Sequence, residues 1–289
     1  MTLDPAALGY LAGWRLVRHL PEPLAAWLFD RGADLASDDG RGMDMLRRNL
    51  TRVVGAENVT TELVRASVRS YARYWREAFR LTSLLDDPTL HQRLLAGLGG
   101  REHLDASLAS GRGVVLTLPH SGNWDMAGLF LTRHHGQFTT VAERVRPEVL
   151  FRAFVEYRES LGFEVLPHTG GGQPPFERLR EVLHAGGVVA LLGERDLRGT
   201  GVPVEFFGEE TSMPRGSAQL ALETGAALHV VHCWFDGPAG WGMSVSEEVV
   251  VDTLEATVQR IADGFAANIR RHPADWHMLQ PQWPADRER

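Results

Sequence analysis

From about residue 112 the chain changes texture. Short runs of aliphatic and β-branched residues alternate with stretches of helical period, and that alternation restricts the fold more than any other feature. It predicts strands at Val114–Leu118, Phe138–Ala142, Phe163–Leu166, Val188–Leu192, Pro203–Phe207, Ala227–Phe235 and Met243–Val249. Helices are expected between them near 124–135, 147–161, 174–186, 214–224 and 253–271. Strands joined through helices pair in parallel by crossing over, so the fold class is α/β: a mixed, mostly parallel sheet flanked by helices. Residues 1–289 read as a single domain, with 1–80 helical and 112–285 forming the α/β core.

The helical part carries two patterns. Residues 1–33 hold Leu3, Leu8, Tyr10, Leu11, Trp14, Leu16, Val17, Leu20, Leu24, Trp27, Leu28 and Phe29, and Pro21 and Pro23 divide them into two short helices. Such segments suit either a membrane interface or a hairpin packed on the body of the protein. Further on, Arg65, Arg69, Arg73, Arg76 and Arg80 recur at helical spacing and form one basic stripe beside Val68, Tyr71, Trp75 and Phe79. A stripe of one sign is either a solvated face or a contact for anionic headgroups and phosphates. No segment reaches the ~20 apolar residues of a membrane span. Asp4, Arg15 and Arg18 interrupt any signal-like stretch, so the expected location is the cytoplasmic side.

Composition then removes whole chemistries. All 30 basic residues are arginine, so lysine-dependent Schiff-base, pyridoxal-phosphate and Walker-A mechanisms are excluded. The single cysteine, Cys233, rules out a disulfide framework and a cysteine-based zinc site, and its apolar neighbours place it in a strand core. The net charge of -7 argues against nucleic acid as a partner. No zinc-ligand spacing occurs, so no metal is expected, and His134, His135, His272 and His277 read as surface or turn residues. Neither a nucleophile elbow nor a dinucleotide glycine motif is present.

What remains is the segment Leu118–Pro119–His120–Ser121–Gly122–Asn123–Trp124–Asp125. A strand ends at its start, and in open α/β sheets ligands bind beyond the carboxyl ends of strands. His120 is able to take a proton near neutral pH. Asp125, five residues on, is placed to turn back onto the ring, fix its tautomer and stabilise the imidazolium; the alternative is a core histidine beside an N-terminal helix aspartate. Gly193–Glu194–Arg195–Asp196, after strand Val188–Leu192, forms a second charged strand end: a polar substrate edge or a salt-bridged loop. His168–Thr169–Gly170–Gly171–Gly172 is a glycine-rich loop.

Taken in order, these segments resemble the lysophospholipid acyltransferase superfamily, and within it the lipid A biosynthesis (lauroyl) acyltransferase-like branch. The matching pieces are His120 to Asp125, Gly193 to Leu197 continuing through Val204–Glu205–Phe206–Phe207–Gly208, Met213 to Ala218, and the tail His272 to Met278. The block around Glu194 is similar to that of actinobacterial phosphatidylinositol mannoside acyltransferases. The resemblance implies a glycerol-3-phosphate acyltransferase-like fold and an O-acyltransferase that takes a long chain, palmitoyl by expectation, from acyl-CoA. The acceptor it implies is a mannose 6-hydroxyl of mannosylated phosphatidylinositol, at an anionic membrane surface on the cytoplasmic face. No cofactor is implied beyond acyl-CoA as co-substrate. His120 acts as general base with Asp125 holding it, and backbone N–H groups near Gly122 or an arginine meet the oxyanion. Glu194 orients the acceptor, supported by Glu143, Arg158 and Arg195, and Thr200 and Glu223 contact acyl-CoA. Other acceptors (a lipid A precursor, a lysophospholipid), a thioesterase or lipid hydrolase, and a non-catalytic lipid-binding protein stay open at this point.

Overall fold

The computed structural model describes residues 13–286 apart from Arg15, Asp86, Gly172 and Arg198. Leu3, Leu8, Tyr10 and Leu11 of the expected first helix therefore lie outside the described residues. Among the described residues, α1 (Glu22–Ala36), α2 (Asp44–Val54) and α3 (Thr61–Leu84) make most of the helical part, preceded by helical residues at 13, 14, 16 and 17, and α4 (Leu90–Ala96) and α5 (Arg101–Ser110) lead on from it. The core follows with β1 (Leu98–Gly99), β2 (Val114–Leu118), α6 (Trp124–His134), β3 (Thr139–Ala142), α7 (Glu148–Ser160), β4 (Glu164–Pro167), α8 (Pro175–His184) and β5 (Val188–Leu192). A hairpin, β6 (Val202–Phe206) and β7 (Glu209–Met213), then precedes α9 (Gly216–Thr224), β8 (Ala227–Asp236), β9 (Gly240–Val245) and α10 (Leu254–Arg271).

Seven strands form one sheet in the order β1-β9-β8-β2-β5-β3-β4. β8, β2, β5, β3 and β4 run parallel, whereas β9 is antiparallel to β8. The α/β reading holds, and all but one of the expected strands match their ranges within a residue. The last strand runs Gly240–Val245 rather than Met243–Val249, because Gly237 and Gly240 close a tight connection to β8 and pairing with it ends at Val245. The Pro203–Phe207 run is a strand as expected but forms no part of the main sheet: it pairs with β7 across Phe207 and Gly208, both at positive φ, the backbone of a two-residue hairpin turn.

Alternation along β2 divides the core. Val115 points into a cluster with α9, α10 and the hairpin, while Val114, Leu116 and Leu118 point to the other face, against α6, Phe138 and Phe163.

The arginine stripe departs from the expectation of a face open to lipid or phosphate. Arg65 and Arg69 both close on Asp34 of α1 at 2.5–2.7 Å. Arg80 donates to the carbonyls of Val17 and Leu20 and pairs with Glu22, which Arg76 also reaches. Arg73 donates to Glu77 and to the carbonyls of Gly237 and Gly240. The reason is complementary spacing: Glu22 and Asp34 at the two ends of α1 meet successive arginines of α3. The two guanidiniums hold the Asp34 carboxyl well below the usual carboxylate range. Large apolar groups of α1, Leu24, Trp27, Leu28 and Leu35, are left exposed on its outer side.

Candidate active site

The register of the sheet assembles the site. Leu118 of β2 pairs with Leu192 of β5, so His120 and Glu194, each two residues beyond its strand, leave the same edge side by side. Glu143 follows neighbouring β3. Oε1 of Glu194 accepts the backbone N–H of His120 at 2.6 Å and lies 2.8 Å from its Nδ1. Since that oxygen already accepts one N–H, it acts as acceptor toward Nδ1 as well, which leaves Nε2 with the free lone pair. Glu194 is fully buried, His120 about one-fifth exposed. Glu194 Oε2 has no hydrogen-bond partner among the described residues. Gly193, just before Glu194, has no room for a side chain: a Cβ would come within 2.4 Å of Thr117 Oγ1.

Asp125 does not hold His120, contrary to the expectation from its spacing. It lies in the first turn of α6, where Asn123 caps the helix by accepting the Met126 N–H. From there its carboxylate accepts from Arg158 Nε at 2.8 Å and from the Tyr74 hydroxyl at 3.0 Å. Burial alone would lower the Arg158 guanidinium, but Asp125, together with Tyr74 and Tyr157, outweighs it and raises it above its ordinary value. Burial, reinforced by Asp125, likewise pushes the Tyr74 hydroxyl well up, so it stays a donor.

The loop between His120 and α6 is locked from below. Gly122 sits at φ +54°, and a Cβ there would lie 2.5 Å from the Cys233 carbonyl carbon. Its N–H donates to the Asp275 carbonyl, so it is not available as the expected oxyanion donor. Ser121 bridges Trp276, and the His277 N–H donates to the His120 carbonyl. From α3, Ser70 donates to Asp275 at 2.6 Å and lies 2.9 Å from His277 Nε2, while Glu77 accepts from the Asn123 amide and the Trp241 indole.

His277 was expected at the surface, yet it is buried and lines a cavity beside His120. Burial, with His120 nearby, pushes its pKa down to about 3, so it is neutral. Sequence reading missed it, along with Ser70, Tyr74, Glu77 and Asp275. The tail Trp276–His277–Met278 carried a weak signal, a histidine between two large apolar residues.

Three cavities converge on this edge. The first runs between the sheet and α6, is lined almost wholly by apolar groups such as Leu116, Phe130, Phe138 and Phe163, and includes Trp124, Asp125 and Arg158. The second, about 340 Å³, lies among Tyr71, Tyr74, Trp75, Trp124 and Phe154 with His120, Glu143, Arg158, Arg195 and His277. The third, about 610 Å³, has His120, Glu143, His168, Arg195, Thr200 and Arg215 in its walls. Of the residues expected at the site, His120, Glu143, Arg158, Glu194, Arg195 and Thr200 come together with Asp125 behind them. Glu223 does not: it pairs with Arg180 of α8 and Gln219 of α9 and lines none of these cavities.

A model of the bacterial lipid A biosynthesis acyltransferase family matches residues 6–285. The chain is 58% identical over 283 residues to the phosphatidylinositol mannoside acyltransferase of Mycolicibacterium smegmatis, covering 96% of this chain and 91% of that one. It is 55% identical over 286 residues to the phosphatidylinositol mannoside acyltransferase of Mycobacterium tuberculosis strain H37Rv, covering 96% and 88%.

Proposed function

The chain belongs to the bacterial lipid A biosynthesis acyltransferase family and is an acyltransferase, and we propose that it moves a long acyl chain from coenzyme A to a mannose hydroxyl of a phosphatidylinositol mannoside. One observation carries the reading: a histidine with a carboxylate on Nδ1 and a free Nε2 lies in the walls of two wider cavities, which share lining residues with a smaller, apolar one. The apolar lining of the smaller cavity suits an acyl chain, and charged groups in the walls of the wider ones, Glu143 and Arg195, suit the polar parts of the substrates. The sugar acceptor is inferred from the named relatives and palmitoyl-CoA as donor from the family resemblance, with which the apolar cavity is consistent.

In the proposed reaction the mannose hydroxyl gives its proton to His120 Nε2 as its oxygen bonds to the thioester carbonyl carbon. Glu194 supports the imidazolium that forms. The tetrahedral intermediate then expels the sulfur of coenzyme A, which takes the proton back from His120, leaving an ester and a free thiol. Arg158 and Arg195 in the second cavity, and Arg195 and Arg215 in the third, are cationic side chains beside His120 that are assigned to the oxyanion or to substrate phosphate. Glu143 lines both wider cavities and is assigned to the acceptor.

Incubating the protein with palmitoyl-CoA and mannosylated phosphatidylinositol, and detecting the acylated lipid by mass spectrometry, tests this. The product is expected with wild type and absent with His120→Ala at unchanged melting temperature. Acylation only of a lipid A precursor or of lysophosphatidic acid overturns the acceptor assignment, and acceptor-independent thiol release overturns transfer.

Among the described residues no helix is long and apolar enough to cross a membrane. With the arginine stripe committed internally, membrane contact is assigned to the exposed apolar side of α1 at Leu24, Trp27 and Leu28. Flotation with lipid vesicles is expected for wild type and weakened in Trp27→Glu; equal flotation of the two rejects this face.

A further inference from the structure

Helix α6 begins at Trp124, directly after the His120 loop, and Trp124, Ala127, Gly128 and Leu131, with Asp125 and Phe130 beside them, line the apolar cavity. That stripe extends for roughly 10 Å along the helix axis. Gly128 is the anomaly. It lies in the helix interior at ordinary helical φ, where glycine is poorer than alanine and no left-handed backbone calls for it. Space is the reason. A Cβ at Gly128 would lie 2.4 Å from Phe163 Cζ and 3.1 Å from Phe138 Cζ. These two rings, with centroids 4.6 Å apart, are themselves walls of the cavity.

We propose that Gly128, by letting the Phe138 and Phe163 rings lie against α6, sets the length of acyl chain that the enzyme accepts. The inference rests on the reading that this cavity holds the acyl chain, and it names the residue that limits it. Both rings are buried in a closely packed cluster. A methyl group added at Gly128 therefore displaces them toward the remaining free space, the cavity itself. Each methylene thereby excluded reduces kcat/KM roughly fourfold, the equivalent of one buried CH₂.

The test compares wild type, Gly128→Ala and Phe163→Leu across a ladder of saturated acyl-CoA thioesters from medium to long chain, with thiol release and acylated lipid both measured. Gly128→Ala is expected to shift the optimum to shorter chains by at least one ladder step, with the loss relative to wild type growing as the donor lengthens. Phe163→Leu, which removes the displaced ring, is expected to shift it the other way, and it remains informative if Gly128→Ala folds poorly by thermal melting. A separate arm labels the wild-type enzyme with a long acyl-CoA bearing a terminal diazirine and maps the cross-linked peptide. Cross-links on α6, Phe138 or Phe163 support the cavity reading, and cross-links elsewhere overturn it. Cross-links in the cavity with unchanged chain-length profiles in both variants overturn the role of Gly128 alone.

Discussion

Two buried carboxylates flank the same loop, and their surroundings differ in kind. Asp125 is enclosed: Arg158 and Tyr74 satisfy it, and both partners come from helices, α7 and α3. Glu194 is poised. One of its oxygens serves the backbone and ring of His120, and the other has no partner among the described residues. The first arrangement fixes a frame, and the second, in the proposed mechanism, tunes a base. In this molecule the aspartate of the His-x4-Asp spacing belongs to the frame, while the carboxylate that acts on the histidine arrives from the end of the adjacent strand.

The sharpest way to break that contrast is Glu194→Gln. The amide keeps the volume and one acceptor oxygen but loses the charge that supports the imidazolium. By analogy with the aspartate-to-asparagine change in serine-protease triads, kcat is expected to fall about 10³- to 10⁴-fold. The melting temperature should change less than in any variant of Asp125. Steady-state kinetics beside a thermal melt reads both. A kcat within a few-fold of wild type removes Glu194 from the catalytic machinery.

Much of this arrangement was legible in the sequence, for identifiable reasons. Strands β2 and β5 are nearly continuous apolar runs, ended by Pro119 and Gly193 with a polar residue next, so their ends, and with them His120 and Glu194, stood out. That the two are neighbours depends on the order of the sheet, which no local pattern carries. The partner of Asp125 was misread because a five-residue spacing suggests a local contact, whereas Arg158, 33 positions on, wins the carboxylate across the cavity. The arginines of α3 misled for the same reason. Their helical spacing was right, but Glu22 and Asp34, which take up four of the five, lie thirty or more residues upstream. His277 was invisible because its burial comes from α3 and the His120 loop rather than from its own sequence neighbours.

The smaller expected effect sharpens the comparison from the other side. Asp125→Ala leaves Arg158 buried beside the Tyr74 hydroxyl with its charge uncompensated. Breaking a buried pair in this way costs about 3–5 kcal/mol, and the lower end applies here because the Arg158 side chain, about one-fifth exposed, reaches a cavity. Urea denaturation followed by far-ultraviolet circular dichroism measures that loss directly. Adding Arg158→Met to Asp125→Ala removes the stranded charge and is expected to restore most of the stability. Activity should not return with it, because Arg158 also lines the cavities where substrate is assigned. Stability and activity would thus separate at Asp125 as they do at Glu194, but in the opposite sense: the frame is recovered by an apolar replacement, the base only by a carboxylate. If instead Asp125→Ala melts like wild type and loses kcat as far as Glu194→Gln does, Asp125 acts on the chemistry directly and the two carboxylates share one task.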